Sequence, residues 1–198
     1  MNILTIPNLL TLSRMILTVF FFSAGLQDEW TWALWLYAAA ALTDMIDGAI
    51  ARLLHQKSRV GAFLDPMADK LMMLGGVTLL TLQDIMPWWL TALIIGRDLI
   101  IVFGVFYLPH RGIEIEYRPT ILSKLTTLSQ ILTIIVGLIT AATLHGVRLP
   151  DPITMSMAYY GWIIAATAVL TLVTAVQYSA IGIRLMKGKN EGEKADRV

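Results

Sequence analysis

Long apolar runs dominate the sequence, and they limit the chain to a small set of folds. Hydrophobic residues make up 57% of the 198 residues. Several runs reach the roughly 20 residues with which a helix crosses a bilayer, and the apolar/polar alternation typical of a membrane β-barrel strand is missing. The sequence therefore predicts an all-α, polytopic membrane protein with six transmembrane helices. The predicted spans are residues 8–26, 30–52, 62–83, 87–108, 119–143 and 153–183.

The last predicted span is followed by a short charged segment that contains glycine. Such a composition buries too little apolar surface to fold by itself. We therefore expect a membrane domain over residues 1–186 and a disordered cytoplasmic tail over residues 187–198. The chain contains no cysteine, which excludes disulfides and thiolate metal sites. Its net charge is only +1, and we expect no nucleic acid as a partner.

Lysine and arginine are unevenly distributed over the predicted loops. One side of the membrane receives the N-terminus, the second-to-third loop, the fourth-to-fifth loop and the tail, and with them most of the basic residues. The opposite side receives only Arg148, and Arg97 lies within a span. The positive-inside rule then puts both termini in the cytoplasm. Because no mitochondrial presequence is visible, we expect a bacterial inner membrane with the active site facing the cytoplasm.

Four aspartates lie where the second and third spans meet, at the predicted cytoplasmic ends of both. Carboxylates are costly within a bilayer, so a group of them is first interpreted as a functional site. The acids share a short motif with small residues and one arginine. The motif reads Asp44-x2-Asp47-Gly48-x2-Ala51-Arg52-x8-Gly61-x3-Asp65-x3-Asp69.

The spacing of the acids predicts that they face one another. Asp44 and Asp47 are three residues apart, and Asp65 and Asp69 are four apart. Each pair therefore shares one face of its helix. A single straight helix would separate Asp47 from Asp65 by roughly 27 Å. The polar stretch 55–59 offers a turn instead, and an antiparallel hairpin would bring the two acidic faces together.

Charge indicates the partner of this acidic cluster. Four carboxylates in a poorly solvated cleft repel one another unless cations are bound. Two divalent ions would balance about four negative charges, and ligand oxygens without histidine or cysteine favour hard ions such as Mg²⁺ or Mn²⁺. Paired ions of this kind recur in phosphoryl-transfer sites. Arg52 could hold diphosphate oxygens with its planar guanidinium.

The complete motif resembles the signature of the CDP-alcohol phosphotransferase family, the class I CDP-alcohol phosphatidyltransferases. The resemblance implies a homodimeric enzyme in which an alcohol displaces CMP from CDP-diacylglycerol in a single step. It implies metal ligation by Asp44, Asp47, Asp65 and Asp69, with Asp69 also acting as the catalytic general base. It further implies that Gly48, Ala51, Arg52 and Gly61 bind the CDP part of the substrate. No Ser-His or cysteine nucleophile is visible, which agrees with such a mechanism.

Two further segments and the distribution of charge indicate the acceptor alcohol. Residues 6–14 and 61–70 resemble the branch that makes phosphatidylglycerophosphate or cardiolipin. Glycerol 3-phosphate carries nearly two negative charges and should need several cations, whereas phosphatidylglycerol carries one. The candidate acceptor ligands are Arg97, Arg118 and Lys124. We therefore favour phosphatidylglycerol, which gives cardiolipin, with glycerol 3-phosphate as the alternative.

Other interpretations of the same residues stay open at this stage. Arg97 either binds a lipid phosphate or pairs with a buried acid, and Arg118 and Lys124 could equally be positive-inside anchors. Asn8 and Thr11 either line the nucleotide site or cap and pack the first helix. A divalent-cation transporter is a rival class. Its acids are expected near the midplane of a protein with repeat symmetry, and no repeat is visible here.

Overall fold

The computed structural model describes residues 6–53, 59–110, 120–148, 150 and 158–195. These residues form long helices and contain no strand, so the all-α prediction is confirmed. The first five predicted spans agree with the observed helices to within three residues at either end. The helices are α1 (Ile6–Leu26), α2 (Trp30–Leu53), α3 (Arg59–Leu82), α4 (Trp88–His110), α5 (Ile121–Leu144) and α6 (Tyr160–Ala195).

Four helices of the described part are long and apolar enough to cross a membrane. These are Asn8–Leu26, Trp88–His110, Ile121–Leu144 and Tyr160–Met186. Helices α2 and α3 are equally long, 24 residues each, but carry the charged motif in their adjoining ends. The protein is therefore an integral membrane protein. That all six helices span the membrane, with both termini on the cytoplasmic side, stays a prediction.

Helix α6 differs most from its predicted span. It begins at Tyr160 rather than at 153, and residues 151–157 lie outside the described part. It continues to Ala195, so residues 187–195 are helical where we expected disorder. Lysine, glutamate and alanine in this segment all have high helix propensity, which explains why a helix already formed by the apolar residues continues through it.

The chain divides into two compact units, and the first consists of the described residues within Met1–Pro87 and Ile134–Tyr159. Helix α1 packs against both α2 and α3. The ring centroids of Phe21 in α1 and Tyr37 in α2 lie 5.2 Å apart. Glycine also allows a close approach of α3 to α5: a Cβ on Gly76 would lie 2.8 Å from Cγ2 of Ile134. This part of α3 therefore packs with almost no space against the second half of α5.

Helix α1 buries one continuous face in this unit. Its buried positions recur every three or four residues, as expected for a helix that packs on one side. Towards its C-terminal end the face is apolar or small, with Phe21 and Gly25, and towards its N-terminal end it is polar. The buried residues are Asn8, Thr11, Arg14, Thr18, Phe21 and Gly25.

The second unit consists of the described residues within Trp88–Thr133 and Tyr160–Val198. Helix α4 packs against α6, and a ladder of buried hydroxyl and amide groups joins α5 to α6. The pairs run antiparallel, and hydrogen bonds of this kind connect helices within membranes. They are Thr126 with Thr174 at 3.2 Å, Gln130 with Thr171 at 3.3 Å and Thr133 with Thr167 at 2.8 Å.

Candidate active site

Two of the four motif acids have described side chains, and both project from the first half of α3. Asp65 and Asp69 are one helical turn apart, which places them on the same side of the helix. Asp65 is half-buried, and the side chain of Asp69 is 59% exposed. Ala68 beside them is fully buried. The packed face of α3 therefore holds the helix in place while the acids remain reachable.

Helix α1 supplies a polar partner for each of these acids. The Thr11 hydroxyl donates a hydrogen bond to Oδ1 of Asp65 at 2.7 Å. Nη1 of Arg14 donates to Oδ1 of Asp69 and forms an ion pair with it. Both residues of α1 have no exposed surface. The polar end of the α1 face is therefore directed at the acidic end of α3.

The ion pair joins a buried cation to a largely exposed anion. A guanidinium away from water is costly unless a partner neutralises and hydrogen-bonds it. Asp69 provides such a partner to Arg14 while keeping more than half of its own surface accessible. The pair therefore fixes the position of the carboxylate from the buried side, while more than half of the side chain stays exposed.

The other half of the motif lies at the end of α2. Helix α2 ends at Leu53 and α3 begins at Arg59, so the two acidic segments occupy the adjoining ends of consecutive helices. The side chains of Asp44, Asp47, Gly48, Ala51 and Arg52 lie outside those that the structure describes.

The expected close approach of the four acids and their metal ligation therefore stay predictions. Gly61, the remaining glycine of the motif, is buried near the start of α3. Among the described side chains, no group of three or more acids or histidines could hold a metal. Since only Asp65 and Asp69 of the four motif acids are among them, that search does not reach the whole cluster.

The candidate acceptor ligands belong to the second unit or to undescribed residues. Arg97 is buried and donates to Oδ1 of Asp98 at 2.8 Å and to Oγ of Ser123 at 2.6 Å. It therefore pairs with a buried acid, which was one of its two predicted alternatives. Lys124 is exposed on α5, and Arg118 lies outside the described part. A role of any of the three in acceptor binding stays a prediction.

Sequence reasoning missed Arg14 as a site residue. Arg14 enters the sequence analysis as a basic residue that sets the orientation and as the end of the segment 6–14, although it follows Asn8 and Thr11 at intervals of three residues in a mostly apolar helix. Three polar side chains at this spacing share one helix face. That pattern was the available signal. The partners of the face could not be read from it, because they lie 54 and 55 residues further along the chain.

Comparison with known families assigns most of the chain to one of them. The sequence model of the family described as CDP-alcohol phosphatidyltransferase matches residues 4–174. The match begins before α1 and ends within α6, so it includes the polar face of α1, the acids of α2 and α3, and the Arg97 pair.

Several curated proteins are similar to the chain over much of its length. A probable cardiolipin synthase (CMP-forming) of Drosophila melanogaster is 37% identical over 149 residues, which is 67% of this chain and 46% of that protein. The cardiolipin synthase (CMP-forming) of Rattus norvegicus is 32% identical, covering 93% of this chain and 65% of the relative. The cardiolipin synthase (CMP-forming) of Streptomyces coelicolor is 34% identical, covering 56% of this chain and 54% of the relative. The chain thus spans about half to two thirds of these relatives.

Proposed function

The chain belongs to the CDP-alcohol phosphatidyltransferase family, and from this premise we propose that it is an enzyme of phospholipid biosynthesis. It transfers a phosphatidyl group from CDP-diacylglycerol to an alcohol and releases CMP. The observation that carries the proposal is the complete acidic motif at the junction of α2 and α3, within a chain that matches the family from residue 4 to residue 174.

The acceptor that we propose is phosphatidylglycerol, with cardiolipin as the product. The names of the relatives support it, since similar proteins from an insect, a mammal and a bacterium are all described as cardiolipin synthases. The pairing of Arg97 with Asp98 agrees with it, because that pairing leaves fewer unopposed cations for a doubly charged phosphate monoester. Glycerol 3-phosphate remains the alternative acceptor. Family membership gives no support to a cation transporter.

The residues of the site fit divalent cations. The described acids present carboxylate oxygens one turn apart on a partly exposed face, and oxygen-only ligands favour Mg²⁺ or Mn²⁺. Asp44, Asp47, Asp65 and Asp69 would hold two such ions. When bound, the ions would offset the negative charge of the diphosphate and stabilise the leaving CMP.

The protein residues have separable tasks in the proposed reaction. The acceptor hydroxyl oxygen forms a bond to the phosphorus that carries diacylglycerol, and the bond from this phosphorus to the bridging oxygen breaks, leaving its electron pair on CMP. Asp69 takes the hydroxyl proton, and its exposure allows the close approach that a general base needs. Arg14 and Thr11 hold the two acids of α3 in place. Arg52, with Gly48, Ala51 and Gly61, binds the CDP part.

The membrane, the orientation and the oligomeric state that we propose rest on the charge distribution and on the family. The distribution of lysine and arginine supports a cytoplasmic position for both termini and for the acidic motif. We assign the protein to a bacterial inner membrane, as a homodimer.

The decisive experiment measures CMP release by the purified protein in lipid nanodiscs. CDP-diacylglycerol is supplied with phosphatidylglycerol or with glycerol 3-phosphate, and the lipid products are identified by mass spectrometry. We expect cardiolipin from phosphatidylglycerol and no turnover after EDTA treatment, with activity restored by Mg²⁺ or Mn²⁺. Use of glycerol 3-phosphate alone would overturn the acceptor assignment. Absence of CMP release with both acceptors would overturn the proposed activity, and full activity in EDTA would overturn the metal requirement.

A further inference from the structure

An apolar groove runs between α1 and α3 beside the acids of the site. Its volume is about 300 Å³. The lining from α1 is Thr18, Val19 and Phe22, and that from α3 includes Leu71, Leu74 and Gly75. Val19 is 62% exposed and Leu71 37%. The groove is therefore open along its side, in a direction that faces lipid when α1 spans the bilayer.

Gly75 keeps this groove open although its packing does not require a glycine. A Cβ on Gly75 would meet its nearest neighbour, Cγ2 of Thr18, only at 3.5 Å, which is ordinary contact. Its neighbour Gly76 is different, since a Cβ there would press against Ile134 at 2.8 Å. Glycine in a helix interior is unfavourable relative to alanine. The close approach of α3 to α5 thus accounts for a glycine at position 76, and the open groove accounts for a glycine at position 75.

The groove continues the line of polar contacts along the same two helices. Thr18 follows Arg14 by four residues, about 6 Å along the helix axis, and Gly75 follows Asp69 by six residues, about 9 Å. The polar contacts lie towards one end of both helices and the groove lies further in. A lipid whose phosphate is held at the acids must direct its tails away from them, and the groove offers an apolar path that starts one turn away.

We infer that this groove binds one acyl chain of the donor lipid, CDP-diacylglycerol, while its diphosphate is held at the acidic motif. The inference rests on the proposed function, because it takes its ligand from it. An acyl chain matches the groove in chemistry, since nearly all of the lining is apolar. The donor is chosen over the acceptor because its phosphates are the part that the acids and their cations would bind.

The first test compares donors of different chain length in a variant with a filled groove. Gly75→Leu places a branched side chain in the groove. Because every buried methylene contributes to binding, we expect the KM for a long-chain donor to rise about tenfold or more, and the KM for dibutanoyl donor to change far less. Leu82→Trp adds bulk to an exposed end of the same helix outside the groove and should leave the ratio of the two KM values unchanged. An unchanged ratio in Gly75→Leu would overturn the inference.

The second test requires neither turnover nor a variant. Wild-type protein in nanodiscs is photolabelled with CDP-diacylglycerol that carries a diazirine at the end of one acyl chain, and labelled peptides are identified. We expect label on groove residues of α1 and α3, displaced by excess unlabelled CDP-diacylglycerol. Equal labelling by diazirine phosphatidylcholine would assign the groove to ordinary bilayer lipid, and label that falls only outside the groove would overturn the inference.

The two tests separate this inference from the proposed function. Displaceable label in the groove without CMP release would support the acyl-chain site and overturn the proposed reaction. CMP release without label in the groove would support the reaction and overturn the acyl-chain site.

Discussion

At the scale of single residues, Arg14 and Asp69 combine one buried and one accessible charge. Arg14 has no exposed surface, whereas the Asp69 side chain is 59% exposed. Removal of Arg14 and removal of Asp69 therefore have different consequences for the partner that is left. A carboxylate without its arginine can turn to water, but the buried guanidinium that has lost this acceptor cannot. The acid therefore has two roles, one in the proposed chemistry and one in holding α1 against α3.

Two substitutions of Asp69 should separate these roles. Asp69→Asn keeps an oxygen that accepts from Arg14, so it should fold normally and lose at least about a hundredfold in kcat, as expected for loss of a general base. Asp69→Leu removes this acceptor and should in addition be less stable than the wild type. The loss should be smaller than the value of about 3–5 kcal/mol that is typical of a broken, fully buried pair. Thermal unfolding in detergent and CMP release measure the two effects. Equal stability of both variants would contradict the structural role.

Thr11 allows a milder test of the same contact surface. Thr11→Val has nearly the same shape and removes the hydroxyl that donates to Asp65. Hydrogen bonds to charged groups contribute about 1.5–3 kcal/mol, so kcat/KM should fall by about tenfold or more. Thr11→Ser retains the hydroxyl and serves as the matched control. Should the valine variant turn over CDP-diacylglycerol as fast as the serine variant, the hydroxyl has no part in positioning Asp65.

The site residues were only partly predictable from the sequence. The acids of α3 were identifiable because their spacing and their cost within a bilayer single them out. Arg14 was not, because the helix period shows which residues share a face and contains no information on which distant helix that face meets. For Arg97 the charge alone could not reveal the internal ion pair that the structure forms with Asp98, and its role in acceptor binding stays a prediction.

At the scale of elements, α3 has one tightly packed end and one open end. Gly76→Ala would bring a methyl group within 2.8 Å of Cγ2 of Ile134, a branched side chain with little freedom to move away. We expect a loss of about 1–3 kcal/mol, as for other overpacked cores.

A second substitution provides the control for this packing prediction. Ile134→Ala removes the opposing atoms, so the double variant should lose less stability than the sum of the two single variants. The measurement is a double-mutant cycle of unfolding free energies. Additive losses would show that the two residues do not contact each other.

The extents of the helices were more predictable than their ends. Runs of about 20 apolar residues located α1 to α5, because the length of a span and the polarity of its flanks are both visible in the sequence. The end of α6 was not visible. Charge and glycine in residues 187–195 favour a disordered tail on composition, but a helix that has already formed needs no new nucleus to continue.

At the scale of the whole molecule, orientation is the largest prediction that can be tested directly. The chain contains no cysteine, so every introduced thiol is the only one present. Gln56→Cys, between α2 and α3, should be protected from a membrane-impermeant maleimide in intact cells. Asp84→Cys, in the exposed turn after α3, should react. The reverse pattern would place the acidic motif outside the cell and contradict a cytoplasmic active site.

The ion pair between α1 and α3 also has a consequence for how the protein responds to a lack of metal. Arg14 gives the acidic motif a permanent counter-ion that belongs to the polypeptide, so part of the negative charge is balanced before any cation arrives. Apo-protein therefore does not have to separate α1 from α3 to relieve repulsion at Asp69. If the proposed metal requirement holds, metal loading would fill a site whose helices are already in place, and loss of the ion would stop the reaction without separating α1 from α3.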